Sequence, residues 1–278
     1  MSNTVDQSFI TQFQSEVVHT FQQNGSKLRD TVFYKPNVTG SSVEFPVLGQ
    51  SGSQKNRSRH ADLVPQNIGH SNATAQMDNY EAIELVDALD EFKTNIAVRQ
   101  AYSKSIVRQL GRDMDNIIIE AAINGAGLTT GAAAAFDLAM MTEIKAMAGS
   151  NDWDEGDDDR WLVVTPTVMK QLDSLEQFIS ADYGTSDAAR AARYPKLYGF
   201  NVVESSRLED ATLFQTTGGQ HTCLAYHKNA LGLGTARDIN IVGPERVPMK
   251  NAWSVIGEMS AGGTAILSTG VITVDVTI

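Results

Sequence analysis

The stretch "GSSVEFPVLGQSGSQKNRSRHADLVPQNIGHSN", residues 40–72, sets a clear strand signal beside a long polar excursion. Val43, Phe45 and Val47 alternate with polar neighbours, the period of a strand with one buried face. Pro46 removes a ladder donor, as at an edge strand or where a strand leaves its sheet. The excursion then loses all periodicity and gathers Lys55, Arg57, Arg59 and His60 within six positions. From Ala73 to Val86 the chain reads as extended again, with Ile83 and Leu85 alternating before Asp87. These features predict a long two-armed hairpin with a polar, basic tip. A loop of this length inside a compact domain is either disordered or functional, so the excursion is an insert or is held by something outside the subunit.

The flanks supply regular structure on both sides. Residues 6–25 read as an amphipathic helix capped by Asp6, with Phe9, Phe13, Val17 and Phe21 on one stripe and Gly25 as a stop. Such a helix packs either on its own domain or across a neighbour. Residues 31–39 read as extended. From Thr94 to Asn124 the apolar residues Ile96, Tyr102, Ile106, Leu110, Met114, Ile117, Ile118 and Ala121 step by three or four, which predicts a helix about 45 Å long. "GAGLTTGAAAA", residues 125–135, is a small-residue linker and the best internal boundary. A second helix follows from Asp137 to Met147, then the acidic loop "NDWDEGDDDR", then strand, turn and helix in "RWLVVTPTVMKQLDSL", with Thr165 as cap. "GFNVVESSRL" and "TCLAYHKNALGLG" read as strands, with more short strands after Gly234 that end in "GVITVDVTI". The fold class is α+β, strands at both ends of the chain and helices in the middle.

Composition narrows the function. A hydrophobic fraction of 42% over 278 residues is ample for a core. The net charge of −11 argues against a protein that grips nucleic acid tightly through phosphates. "SNTVDQ" after Met1 is no signal peptide, and no apolar run approaches a membrane span, so neither export nor insertion is expected. Cys223 is the only cysteine, which excludes an intrachain disulfide and a thiolate metal site.

Catalytic patterns do not stand out. The five histidines, at 19, 60, 70, 221 and 227, make no HExxH pair. "GLGTAR" places Arg237 where a dinucleotide loop needs its third glycine, and it precedes strands. Asp152 to Asp159 lacks the ligand register of a calcium loop and reads as a solvated acidic turn, although a metal-dependent enzyme using it is a third functional option. No catalytic residue, metal ligand or cofactor is expected.

The order of features carries a resemblance. A phenylalanine-rich arm, "VEFPVLG" opening a polar hairpin, the return strand "MDNYEAIELVD", and the helix beginning "FKTNIAVRQAYSKSIVRQLGRDMDNIIIEAA" together resemble the major capsid proteins of tailed bacteriophages with the Hong Kong 97-type fold. "RWLVVTPTVMKQL", "YGFNVVESSRL" and the terminal strands look like that family's apical domain and sheet. The resemblance implies an N-terminal arm at 1–30, a peripheral-domain strand at 31–39, an extended loop at 40–78, a peripheral domain with spine helix at 79–124, an apical domain at 125–234, peripheral sheet at 235–260, and a C-terminal strand at 261–278 returning to the apical domain.

It also implies a structural protein of the virion, assembled in the host cytoplasm through hexamers and pentamers into an icosahedral-type shell around double-stranded DNA. The hairpin would then be held by the next subunit. Expected partners are the chain itself, a separate scaffolding protein (no long segment precedes the arm), a portal and a decoration protein, with packaged DNA touched weakly and no membrane. An encapsulin-type nanocompartment around cargo enzymes is the alternative. The inter-subunit isopeptide bond of one branch is not expected, since nothing marks an Asn and Glu placed for Lys55. Candidate inter-subunit residues are Phe9, Phe13, Phe21, Lys55, Arg57 and Arg59. Lys104, Arg108 and Arg112, a like-charged i, i+4 row, would face DNA or an adjacent subunit.

Overall fold

A computed structural model describes residues 22–53, 55, 65, 67–86, 98–131, 134–154, 158–173, 196–209, 220–243, 245–246 and 252–277. The helix expected over 6–25 lies almost wholly outside them. Among the described residues two sheets and three helices make up the body. The first sheet runs in the order β1 (Phe33–Lys35), β10 (Leu231–Val242), β12 (Ala252–Ala265) and β11 (Glu245–Arg246), with β4 (Asp78–Val86) also paired to β12. The second has six strands in the order β5 (Leu128–Thr129), β13 (Val271–Thr277), β9 (Gln220–His227), β6 (Arg160–Val164), β8 (Phe200–Glu204) and β7 (Lys196–Leu197). The hairpin β2 (Ser42–Leu48) and β3 (His70–Gln76) forms a third, two-stranded sheet of its own.

Helix α1 (Val98–Gly125) lies along β12. Its 28 residues give a rod about 42 Å long. Ile106, Leu110, Met114, Ile117 and Ile118, five positions of the predicted stripe, are buried, whereas Tyr102 is exposed. The close fit comes from β12, which offers glycine where the helix presses: a Cβ on Gly257 would overlap Ile106, and one on Gly263 would lie 3.0 Å from Ile117 Cγ2. Among the described residues no helix is long and apolar enough to cross a membrane.

The second sheet packs on α2 (Leu138–Ser150) and α3 (Pro166–Asp173) around Phe136, Met141, Ile144, Leu162, Leu172 and Phe200. Both caps follow the sequence: Asp137 Oδ1 accepts from the Met140 amide at 2.9 Å and Thr165 Oγ1 from the Val168 amide at 3.2 Å. Cys223 sits in this core, and burial pushes its thiol up to about 12 from an ordinary value near 9. The thiolate is the reactive species. Native protein at pH 8 is therefore expected to give no signal with a thiol-colouring disulfide reagent, and one thiol per chain after unfolding; rapid native labelling would show that this core opens.

Three sequence limits move. "TCLAYHKNALGLG" is not one strand: a 3-10 turn at Lys228–Ala230 divides it, and β10 begins at Leu231. Likewise β12 continues in the first sheet to Ala265, past the limit of 260. The strand that holds Gly234 continues through it to Val242. The extended stretch at 31–39 narrows to Phe33–Lys35, preceded by a 3-10 turn at Arg29–Thr31.

Candidate functional site

The hairpin has almost no core of its own. Val43 and Phe45 alternate inward at the root, paired with Ala75 and Ala73, while Glu44 and Pro46 face out. Together with Met77 and Ile266 they form a small separate apolar cluster. The root rests on glycines: a Cβ on Gly232 would come within 2.8 Å of Phe45 Cε2, one on Gly234 within 2.7 Å of Val43 Cγ1, and one on Gly262 would overlap the Gln76 carbonyl oxygen. Gly234 and Gly262 are register partners, so together they form a flat seat. Phe33 meets Phe45 edge to face at 6.0 Å.

Outward of the seat nothing in the same chain covers the strands among the described residues. Leu48 is 69% exposed, Ile68 is exposed, and the Gly49 amide donates to the Gly69 carbonyl at 2.8 Å. Of the basic tip, Lys55 is exposed, whereas Arg57 and Arg59 lie outside the described residues. Phe9, Phe13 and Phe21 lie outside them too.

Where the N-terminal segment joins the body, the determinant is a buried carboxylate that local sequence patterns did not single out. Asp115 on α1 is fully buried. It accepts from the backbone amides of Lys27 and Leu28 at 3.1 Å each, from Ser26 Oγ, and from Gln23 Nε2. One turn earlier, a Cβ on Gly111 would lie 2.8 Å from the Gly25 carbonyl carbon, so residues 23–28 cross the helix at its narrowest place. The segment then ties both sheets together. Lys27 Nζ donates to the Glu204 carbonyl, Arg29 pairs with Asp238 at 2.9 Å and lies over the Tyr34 ring, and Thr31 Oγ1 shares a hydrogen bond with the buried Tyr226 hydroxyl. The combination of Gly111 and Asp115, four apart on an otherwise apolar helix face, is the signal that could have found this anchor.

The basic row on α1 is only partly free. Lys104 is exposed, and Arg108 and Arg112 are half-buried. Arg112 donates to Gln109, whose amide in turn donates to Asp113 at 3.1 Å. Lys104 and Arg108 have no ion pair among the described residues. If the row meets an adjacent copy or an anionic partner, changing all three to Gln is expected to lower the melting of that assembly at low salt, with the difference shrinking as salt rises. Indistinguishable melting across salt would make the row a solvated helix face.

A groove of about 370 Å³ opens between the start of β4, the last turns of α1 and the Gly262–Ala265 end of β12. Asp78 and Glu120 line it with Tyr80, Asn124 and Gly263. Burial pushes the Tyr80 phenol up, and the charges of Asp78, Glu120 and Asp113 push it further in the same direction. The groove is electronegative.

The described ends of the acidic loop are tied to the body. Buried Arg160 draws it in, donating to the carbonyls of Asp154 (3.0 Å) and Trp153, with its guanidinium 5.8 Å from the Phe200 ring centroid. Asp158 pairs with Lys196 and Asp159 reaches Lys228 at 4.0 Å. Among the described residues, no three His, Cys, Asp or Glu side chains gather as a metal-ligand set.

Comparison with known proteins bears on all of this. A family model described as phage capsid protein matches residues 5–278. No match was found among curated proteins. Among solved structures, the capsid of the cyanophage P-SCSP1u is similar with a TM-score of 0.79 and 19% identity, covering 97% of this chain and 93% of that one. The capsid of a native GTA particle gives 0.76 at 11% identity over 99% and 98% of the two chains. A structure from Mycobacterium phage Che8 gives 0.73 at 16% identity over 96% and 97%.

Proposed function

The chain belongs to the phage capsid protein family, and from that premise we propose that its copies self-assemble through hexamers and pentamers into an icosahedral-type shell around the packaged double-stranded DNA of a tailed phage. That it is a structural protein of the virion capsid follows from the family. The finer reading is supported above all by the hairpin, a strand pair seated on glycines at its root and bare beyond it. Paired strands exposed on both faces are not stable alone in water. A neighbouring subunit of the shell supplies the missing cover.

Within such a shell we assign 1–30 to the N-terminal arm, 40–78 to the extended loop, the first sheet with α1 to the peripheral domain, and the six-stranded sheet with α2 and α3 to the apical domain. Weak contacts repeated at every subunit sum to a stable particle, and an acidic subunit repels packaged phosphate except at selected points. Beyond itself, the partners in this reading are a scaffolding protein, a portal, a decoration protein and DNA, with assembly in the host cytoplasm.

The test is expression of the chain, alone and with the other head proteins, followed by sedimentation and negative-stain microscopy. Closed shells holding nuclease-protected DNA are expected. Shells holding a cargo enzyme would instead make it a nanocompartment protein, and persistent monomers in both settings would overturn self-assembly. Arg57→Glu with Arg59→Glu is expected to leave circular dichroism intact and shift the sedimenting material from shells to free subunits or capsomers.

A further inference from the structure

We propose that Asn24 is a self-modification site: its side-chain amide closes onto the Gly25 backbone nitrogen, and the isoaspartate that results releases the N-terminal segment from Asp115. The reaction needs only water, and it stands apart from the reading of the chain as a shell subunit. Three observations carry it.

The first is the dipeptide. Asn-Gly occurs twice in the chain, at Asn24–Gly25 and at Asn124–Gly125. Glycine carries no Cβ, so the nitrogen that must attack the asparagine side chain is left unshielded.

The second is the state of the groups that react. Asn24 is exposed in irregular backbone, and neither its side chain nor the Gly25 amide has a hydrogen bond among the described residues. Gly25 has a φ of +75° and no atom within 4 Å of an added Cβ, so one side of it is open. Asn124 is exposed as well, but Gly125 ends α1, where its amide serves the helical ladder, and an added Cβ there would overlap Ala265. The second Asn-Gly is therefore held out of reaction and serves as an internal control.

The third is the clamp on either side. Gln23 Nε2 and Ser26 Oγ both donate to Asp115, and Gln23 Nε2 also donates to the Gly25 carbonyl at 2.8 Å. Gly25 passes so near α1 that a Cβ on Gly111 would lie 2.9 Å from its Cα. A main chain made longer at this point no longer fits.

The Gly25 nitrogen gives up its proton and bonds to Asn24 Cγ, the bond from Cγ to the side-chain nitrogen breaks, and that nitrogen leaves as ammonia. Water then opens the succinimide. Opening at Cγ gives aspartate, and opening at the main-chain carbonyl gives isoaspartate, which routes the main chain through Cβ and lengthens it by one methylene. Both products add a negative charge, but only the second lengthens the chain.

The experiment ages the full chain at mildly alkaline pH. Peptide mass spectrometry reads amide-to-acid conversion, and an isoaspartate-specific methyltransferase marks the lengthened product. Asn24 is expected to convert about tenfold faster than Asn124, whose glycine amide reacts only when the helix end opens. Equal rates, or no conversion at Asn24, overturn the site. In aged chains the amides of Lys27 and Leu28 are expected to lose exchange protection, whereas Asn24→Gln, which would need a larger ring, keeps it. Conversion with that protection unchanged overturns the release. Asn24→Asp carries the charge without the methylene and is expected to keep protection; loss equal to that of the aged chain overturns the role of lengthening. Should a variant misfold, fresh and aged samples of the unaltered chain decide by the same exchange readout.

Discussion

Asp115→Ala is expected to destabilise the subunit by about 3–5 kcal/mol, because it orphans the buried amide of Leu28 and the neighbouring Lys27 amide, each worth about 1–3 kcal/mol unsatisfied. The Ser26 hydroxyl and Gln23 amide lose their acceptor as well. A loss of this size lowers Tm on the order of 10 °C in a protein of this length. Asp115→Asn keeps an acceptor oxygen and is expected to lose less. Hydrogen exchange separates this from general core damage: the amides of Lys27 and Leu28 should lose protection first, with those of β9 and β13 unchanged under native conditions. An alanine variant melting within a degree of the parent would show that the N-terminal segment is not held by this carboxylate. Because the segment also bonds to both sheets, its release is expected to reduce shell yield beyond what the lower Tm accounts for.

Gly262→Ala is expected to displace the hairpin. The added methyl overlaps the Gln76 carbonyl oxygen, a backbone atom that no rotamer change can move. Overpacking typically costs about 1–3 kcal/mol, and here it also lifts Val43 and Phe45 off their seat. The expected readouts are proteolysis between Gly49 and Gly69 at lower protease concentration, and capsomers without closed shells. Gly149→Ala is the control. That glycine is exposed near the end of α2 with no atom within 4 Å of an added Cβ, so the change is neutral or stabilises by up to about 1 kcal/mol. If the two variants melt and assemble alike, the seat is looser than its geometry indicates.

Much of the fold was legible because it rests on periodicity. The α1 stripe needed only spacing, and the α+β class needed only the order of periods along the chain. β2 was legible at both ends, since Val43 and Phe45 alternate and Gly49 punctuates. Periodicity marks a face, however, and not what covers it. Ile83 and Leu85 alternate as a buried face would, yet they are 48% and 47% exposed on the side of β4 away from α1. The extended run Ala73 to Val86 also belongs to two sheets, divided where the Met77 amide donates to the Ser41 carbonyl. Gly232, Gly234 and Gly262 were the least legible, because a glycine that admits another backbone reads locally like one that ends a strand. Asp115 was hidden for a related reason: its partners lie about ninety positions earlier in the chain.

The position of β13 bears on the order in which a newly made chain can fold. Val271–Thr277 is the last of the described strands along the chain, yet it lies between β5 and β9 rather than at the sheet's margin. β1 and β10 likewise join residues about two hundred positions apart. The first sheet is complete once β12 is made to Ala265 and the second only once β13 is made, and pairings of such separation make folding slow. A chain that stops before β13 thus lacks the pairing that completes the sheet supporting α2, although the glycines that seat its hairpin root are already present. A chain cut before Val271 is therefore expected to fail to complete this sheet and to sediment as misfolded or unassembled material, which sedimentation of the truncated chain checks.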